Sequence, residues 1–236
     1  MKLITVDIGN THKTVAEYDS DYHLVKVFPF SDYIQSADDY ILISQVGKKS
    51  ELNPNFEIKK LRSETFFVDM PVKYSMHLGE DRLCASYALY KKEELLSTKK
   101  KILIVDAGTF ITCDFVSQDG FLGGYILPGL FRLLEAYSKS AQLPLLALSE
   151  VINVKPELPQ TTDEAITKAI CLLIKSSILE MINVQKPDQV FFTGGDAQKI
   201  MDLLKPSSLI PFDLSPHLVH LGLSKIHQFH LNQVES

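Results

Sequence analysis

Two stretches of the sequence end an apolar run on an aspartate, which is followed by one apolar residue, a glycine and a small polar residue. The first reads LITVDIGNT at Leu3–Thr11, and the second reads ILIVDAGT at Ile102–Thr109. An unpaired buried carboxylate is costly, so an aspartate in such a place indicates a bound cation. The glycine that follows lets backbone N–H groups approach a phosphate closely. One copy alone could be an ordinary tight turn, but two copies predict a paired site for nucleotide phosphates and a metal ion.

Strands must hold these aspartates in place. Each copy continues into a second β-rich run, Thr14–Tyr18 in the first and Ile111–Val116 in the second, which predicts a hairpin with a polar turn. Open α/β sheets bind their ligands at the carboxyl ends of strands. The chain has neither a Walker A motif nor GxGxxG, so the predicted phosphate site is not that of a P-loop or a Rossmann protein.

Helical patterns separate and follow the two copies. Apolar spacing predicts a helix within Gly79–Leu96 and another that starts within Gly129–Ala136. Thr161 and Glu164 form the pattern of a capping box. If Thr161 caps this third helix, Thr162 lies in its first turn with the hydroxyl available to a ligand.

Alternation of strands and helices predicts an α/β protein rather than a sandwich or a bundle. The repeat predicts two lobes that face each other across a cleft, residues 1–99 and 100–236, with the boundary in the charged stretch KKEELLSTKKK. Late in the second lobe, the strand QVFFT leads into Gly194 and Gly195. The polar tail after Leu223 is expected to be a loosely held surface segment.

Composition narrows the classes of function. The chain has 236 residues and a net charge of −5 without a basic block, which argues against a nucleic-acid partner. The apolar stretches are shorter than the roughly 18 residues that a membrane span needs, and Asp7 interrupts any signal-peptide core. The three cysteines lack metal-ligand spacing and are expected to be reduced, packed groups of a cytoplasmic protein. We therefore expect a small-molecule ligand, with no membrane contact.

The order of short motifs resembles that of the type III pantothenate kinases. The motifs are VDIGNT at Val6–Thr11, LGEDR at Leu78–Arg82, VDAGT at Val105–Thr109, GGYILPGL at Gly123–Leu130, AQLP at Ala141–Pro144, TDEAI at Thr162–Ile166, TGGDA at Thr193–Ala197 and LVHLGL at Leu218–Leu223. The resemblance covers nearly the whole chain. It implies two ribonuclease-H-like lobes of the actin-like ATPase superfamily, and ATP-dependent phosphorylation of pantothenate in a homodimer.

The resemblance also implies the residues that bind ATP and metal ions. The ATP phosphates would lie in a first phosphate loop that comprises Asp7, Ile8, Gly9, Asn10, Thr11, His12, Lys13 and Thr14. Asp7 would help to hold Mg²⁺, and Asp106 would bind a monovalent cation, K⁺ or NH₄⁺. Thr109 would contact ATP, while Gly194 and Gly195 would let the adenosine lie close to the backbone.

A second set of residues is implied for pantothenate. It comprises Tyr74, Gly79, Glu80, Asp81, Arg82 and Thr162. Asp81 would be the general base that accepts the proton of the attacking hydroxyl. Arg82 suits the substrate carboxylate, which a guanidinium can grip at two points. For Asp81 and Arg82, the alternative from the residues alone is a surface ion pair or helix-start charges.

The chain departs from the family pattern at three places. His12 stands where Asn or Arg is usual, and Ala169 stands where glycine is usual. The Tyr-x-x-Pro stretch of the pantothenate pocket is absent from the residues before LGEDR, which makes Tyr74 the nearest candidate. The pairs His217/His220 and His227/His230 lack a third metal ligand and are expected to be packed or solvated.

Two other functions fit the same pattern. One is a catalytically silent nucleotide-binding regulator on the same fold. The presence of Asp7, Asp81 and Asp106 argues against this function. The other is a kinase that acts on another small acceptor, such as a sugar.

Overall fold

The computed structural model describes residues 2–46, 52–92, 99–140, 157–207 and 209–234. Their contacts group into two units. The first unit takes its residues from the ranges 1–100, 114–123 and 217–236, and the second from 101–113 and 124–216. The division into lobes at 1–99 and 100–236 remains a prediction, as does a cleft between them.

The described residues form twelve strands and five α-helices. The strands are β1 Lys2–Ile8, β2 Lys13–Tyr18, β3 Leu24–Pro29, β4 Asp39–Gln45, β5 Phe56–Glu57, β6 Phe66–Phe67, β7 Met70–Pro71, β8 Ile102–Ala107, β9 Phe110–Ser117, β10 Gly120–Pro128, β11 Gln189–Thr193 and β12 Phe212–Leu214. The helices are α1 Glu80–Tyr90, α2 Leu130–Ser140, α3 Thr162–Gln185, α4 Ala197–Leu204 and α5 Leu218–Val234. Within the described residues, no helix has the length and apolar character to cross a membrane.

The two large sheets have the same strand order, which confirms the internal repeat. The first sheet runs β3-β2-β1-β4-β5, and the second runs β10-β9-β8-β11-β12. In the first, β1 pairs antiparallel with β2 and parallel with β4. In the second, β8 pairs parallel with β11, and β11 pairs parallel with β12. The repeated aspartates therefore lie on the central strand of each sheet.

The side chains of β1 alternate between two faces, as the period of a strand requires. One face is apolar and packs in a core cluster of Ile4, Val6, Ile8, Val15, Ile41 and Ile43. The opposite face carries Thr5 and Asp7. This alternation explains how an apolar strand can end on a carboxylate, since Asp7 points away from the apolar cluster.

Helix α5 corrects the expectation for the end of the chain. The segment after Leu223 is not a loose tail: it continues a helix that runs from Leu218 to Val234. A Cβ on Gly222 would collide with the backbone carbonyl of Cys84 in α1, so these two helices pack with their backbones in close contact. The buried residues Leu223, Ser224, Ile226 and His227 continue the packed face of α5.

The predicted helix starts are confirmed. Helix α2 begins at Leu130, and α3 begins at Thr162 with Thr161 as its N-cap. The Thr161 hydroxyl accepts a hydrogen bond from the Glu164 N–H at 3.2 Å. The Glu164 carboxylate accepts in return from the Gln160 N–H at 2.9 Å, one residue earlier than in the standard capping box.

Candidate active site

The first phosphate loop is a tight turn between β1 and β2. The Gly9 N–H donates to the carbonyl oxygen of His12 at 3.1 Å, and a Cβ on Gly9 would lie only 3.2 Å from that oxygen. His12, which departs from the family pattern, closes the turn through its backbone carbonyl, and its side chain is exposed. Asn10, Thr11 and Lys13 are also exposed. The turn therefore presents its polar side chains to solvent.

Asp7 and Thr14 flank this turn as a cross-strand pair. The register places Asp7 opposite Thr14 in the antiparallel pair, and Asp7 beside Ser44 in the parallel pair. Directly paired residues share one face of a sheet and lie within side-chain contact distance. The last residue of the loop therefore has its hydroxyl on the same face as the Asp7 carboxylate.

Helix α1 positions the predicted pantothenate residues at its N-terminus. Gly79 is the N-cap, and Glu80 and Asp81 form the first turn, where negative charge is favourable. The Asp81 carboxylate folds back to accept from the Arg82 N–H at 2.8 Å. A Cβ on Gly79 would collide with Asp81 Oδ1. The glycine is thus required for this carboxylate geometry.

The carboxylates at the start of α1 lie in a partly desolvated environment. Burial raises the pKa of Asp81, while the backbone N–H and the positive charge of Arg82 act in the opposite direction. Burial likewise raises the pKa of Glu80, which accepts from the Gln45 N–H at 3.1 Å. A carboxylate with a raised pKa has the properties of a general base.

Asp7 and Asp81 occupy the same neighbourhood of the first unit. Burial, followed by the negative charges of Glu80, Asp7 and Asp81, raises the pKa of the Cys84 thiol well above its usual value. Three carboxylates therefore lie near one buried sulfur. Carboxylate oxygens are the ligands that Mg²⁺ prefers, and a cation would reduce the repulsion within this acidic group. The negative charge and the oxygen ligands of these three residues therefore fit a bound Mg²⁺.

Arg82 is held by a residue that the sequence reasoning missed. Its Nε–H donates to both carboxylate oxygens of Asp114, at 3.1 and 3.0 Å, and Nη2 also donates to Oδ1. Burial lowers the pKa of Arg82, but the hydrogen bonds and the charge of Asp114 outweigh this and raise it. Both side chains are buried. The available signal was an aspartate inside the apolar run ITCDFV.

Two aromatic rings complete the surroundings of Arg82. The guanidinium carbon lies 5.4 Å from the centre of the Tyr74 ring and 5.8 Å from that of Phe121. The structure thus brings the predicted pair Tyr74 and Arg82 together. Asp114 engages Nε and Nη2, and the Tyr74 side chain also hydrogen-bonds the guanidinium.

In the second unit, Gly194 lies directly against the second acidic turn. Asp106 pairs with Thr193 across β8 and β11, and the Asp196 N–H donates to the Ala107 carbonyl at 2.9 Å. Gly194 has a φ of +92°, and a Cβ there would collide with Asp106 Oδ1 and lie 2.6 Å from the Ala107 oxygen. Gly194 is therefore required for the close approach of β11 to the end of β8.

The other predicted residues of the second unit are more open. A Cβ on Gly195 would meet no atom within 4 Å. Thr162 is exposed in the first turn of α3, as predicted. Thr109 accepts from the Gly129 N–H at 3.1 Å through its backbone oxygen, so Gly129 closes the far side of the turn. The motif AQLP at Ala141–Pro144 lies outside the described residues.

The three cysteines are buried and form no disulfide in the described residues, which confirms that they are packed groups. Helix α3 carries Ala169, where the family usually has glycine, at a half-buried position. The Ala169 side chain is accommodated within a continuous helix that runs from Thr162 to Gln185.

Comparison with known proteins identifies the family. The family model described as type III pantothenate kinase matches residues 52–184. The type III pantothenate kinase of Campylobacter hominis is 29% identical over 208 residues, which cover 86% of this chain and 89% of the relative. That of Helicobacter pylori strain J99 is 32% identical over 208 residues, which cover 87% and 84%.

A solved structure supports the fold. The activator of the 2-hydroxyisocaproyl-CoA dehydratase from Clostridium difficile, with bound ADPNP, aligns with a TM-score of 0.56 at 13% identity and covers 100% of this chain and 98% of its own. At this identity the likeness concerns the fold alone, which is that of the actin-like ATPases and sugar kinases. With the family match over more than half of its length, the chain belongs to the type III pantothenate kinases.

Proposed function

We propose that the chain transfers the γ-phosphoryl group of ATP to the hydroxyl of pantothenate. The product would be 4′-phosphopantothenate, in the first step of coenzyme A biosynthesis. Family membership supports the reaction. The observation that carries the assignment of the base is the partly desolvated Asp81 carboxylate at the start of α1, whose pKa is raised by burial.

Asp81 accepts the proton of the attacking hydroxyl in this proposal. A raised pKa makes it a better proton acceptor near neutral pH than an ordinary aspartate. The bond from the Arg82 N–H to Oδ1 fixes the orientation of the carboxylate, which leaves the other oxygen for the substrate. Arg82 and Tyr74 bind the pantothenate carboxylate with the guanidinium edge that Asp114 does not use, and Gly79 and Glu80 complete the contacts of the first unit. In the second unit, Thr162 is the residue that the family resemblance assigns to pantothenate.

The first phosphate loop binds phosphates of ATP, and Thr109 is the residue of the second unit that the family resemblance assigns to ATP. When bound, Mg²⁺ supplies charge neutralisation for the transferred phosphoryl group, and Asp7 is the residue that would hold it. Asp106 would hold a monovalent cation, K⁺ or NH₄⁺, beside the second turn. Gly195 leaves open space for the adenosine, while Gly194 shapes the backbone next to Asp106.

The test is an acceptor screen with the purified chain. ATP, Mg²⁺ and pantothenate are supplied with K⁺, with NH₄⁺ or without either, and the product is identified by mass spectrometry. We expect 4′-phosphopantothenate with a monovalent cation present and little turnover of sugars. If no cation condition yields this product, the proposed function is wrong. Turnover of a sugar instead would identify a kinase for another acceptor.

A variant tests the role of Asp81. Asp81→Asn keeps the shape of the side chain but removes the base, so kcat should fall by about a hundredfold or more, while the affinity for ATP is retained. An unchanged kcat would remove Asp81 from this role. The homodimer expected for the family can be tested by chromatography with light scattering.

A further inference from the structure

His220 joins the two strands of the first phosphate-loop hairpin. Its Nδ1 lies 2.8 Å from the Thr5 hydroxyl on β1, and its Nε2 lies 2.9 Å from the Thr14 hydroxyl on β2. His220 belongs to α5, more than 200 residues further along the chain. The histidine is thus a packed residue, as expected, but both of its ring nitrogens are engaged.

The hydrogen bonds of His220 to Thr5 and Thr14 form a bridge, and the two threonines at its ends differ in their exposure. Thr5 is fully buried, and His220 is 2% exposed. Thr14 is only partly buried and is paired with Asp7 in the sheet register. The bridge therefore runs from an anchor inside the first unit to a hydroxyl at the end of the phosphate loop, on the face that carries the Asp7 carboxylate.

The protonation state of His220 determines which hydrogen bonds its two ring nitrogens can donate or accept. Burial lowers the pKa of His220 to about 3, so the ring is neutral near pH 7, with one N–H donor and one acceptor nitrogen. If Nδ1 accepts from the Thr5 hydroxyl, Nε2–H donates to the oxygen of Thr14. Thr14 then keeps its own O–H proton for an external acceptor, and a phosphate oxygen is such an acceptor.

We propose that His220 is a positioning residue that holds the Thr14 hydroxyl with its proton directed to a phosphate of ATP. The inference rests on the proposed function, because it uses the first phosphate loop as the ATP site. His220 itself does not touch the nucleotide. It acts through Thr14, in the tautomer whose Nδ1 accepts from Thr5.

Two conservative variants separate the two hydrogen bonds. The amide nitrogen of glutamine can replace the Nε2–H donor of histidine, and the amide oxygen of asparagine can replace the Nδ1 acceptor. His220→Gln should therefore keep the bond to Thr14, whereas His220→Asn should lose it. Binding of a non-hydrolysable ATP analogue with Mg²⁺ is measured by calorimetry, so the result does not depend on the acceptor. The free energy of unfolding of each variant is measured alongside.

The expected result is a difference between the two variants. His220→Asn should weaken binding of the analogue by about fivefold to tenfold, the effect of one lost hydrogen bond, and His220→Gln by less than about threefold. In the assay, the KM for ATP should rise while the KM for pantothenate stays unchanged. Equal weakening by both variants, or no weakening by His220→Asn, would contradict the proposal. An equal rise in both KM values would contradict it as well, because a purely structural histidine would affect both substrates alike.

Variants of Thr14 test the same proposal if the histidine variants fold poorly. Thr14→Ser retains the hydroxyl and should bind the analogue nearly as tightly as the parent chain. Thr14→Val removes it and should weaken binding to the level of His220→Asn, and combining Thr14→Val with His220→Asn should add little. Additive losses in the combined variant would show that His220 does not act through Thr14. A parent chain that binds the analogue but does not phosphorylate pantothenate would refute the proposed function alone, and one that binds no nucleotide would refute both.

Discussion

The guanidinium of Arg82 and the carboxylate of Asp114 form a buried ion pair, in which Nε–H donates to both carboxylate oxygens at 3.1 and 3.0 Å. Helix α1 supplies the arginine and β9 supplies the aspartate. A buried pair of this kind adds little net stability compared with an apolar pair, but removal of one partner leaves an uncompensated buried charge. Asp114 therefore affects both the stability of the first unit and the orientation of Arg82.

Asp114→Asn should be strongly destabilising. Because the substitution leaves the positive charge of Arg82 buried without a negative partner, we expect the free energy of unfolding to fall by about 3 kcal/mol or more. The affinity for pantothenate should fall as well, since the guanidinium loses its fixed orientation. Denaturant unfolding and a pantothenate titration are the measurements. Glu57→Gln is the control in the same unit: it removes a half-exposed partner of Lys59 and Lys60 and should cost less than about 1 kcal/mol.

Gly79→Ala should damage catalysis more than stability. The new Cβ would collide with Asp81 Oδ1, and this flexible carboxylate can move aside at little cost to the fold. We expect the free energy of unfolding to change by less than about 1 kcal/mol, which allows for the poorer N-cap, and kcat to fall by about tenfold or more. Gly79→Ser is the matched variant, because serine is a good N-cap but carries the same Cβ. If both variants keep the parent kcat, the observed Asp81 geometry is not the productive one.

Gly194 and Gly195 should respond differently to alanine. At Gly194 the positive φ and the contacts with Asp106 and Ala107 predict a loss of about 2 kcal/mol or more in the free energy of unfolding. At Gly195 the Cβ would enter open space, so stability should change by less than about 0.5 kcal/mol. If the adenosine lies against Gly195, the KM for ATP should still rise in Gly195→Ala. Similar stability losses in both variants would contradict the structural distinction.

His220 should make the stability of the protein depend on pH. The folded-state pKa is lowered to about 3, against about 6.5 for an unfolded histidine, so below about pH 6.5 the unfolded chain binds the extra proton. The contribution of His220 to the free energy of unfolding should be complete above about pH 6.5 and should be lost as the pH falls towards 3. The slope should be up to about 1.4 kcal/mol per pH unit. Burial also lowers the pKa values of His217 and His227. Both of these histidines are still present in the variant His220→Gln. The difference between the two stability curves therefore isolates His220, and parallel curves would contradict the assignment.

The sequence by itself determined the local features. Apolar alternation and the Asp-x-Gly turns predicted the two hairpins, and the Thr161 cap predicted where α3 starts. These signals work because a turn, a cap or an alternating strand depends on residues that are close in the chain. The family motifs were local in the same sense, so the family and its reaction could be predicted before any coordinates were considered.

Only the tertiary structure decided which distant residues hold the site together. The Arg82–Asp114 pair spans 32 positions, and the His220–Thr5 bond spans 215. No pattern in the nearby sequence identifies which residue the other partner is, since each interaction exists only because two elements pack face to face. The polar end of the chain illustrates the same limit, because its sequence alone resembles a loose tail. In the structure, Gly222 packs against Cys84 of α1, and the segment is a helix that supports the first phosphate loop.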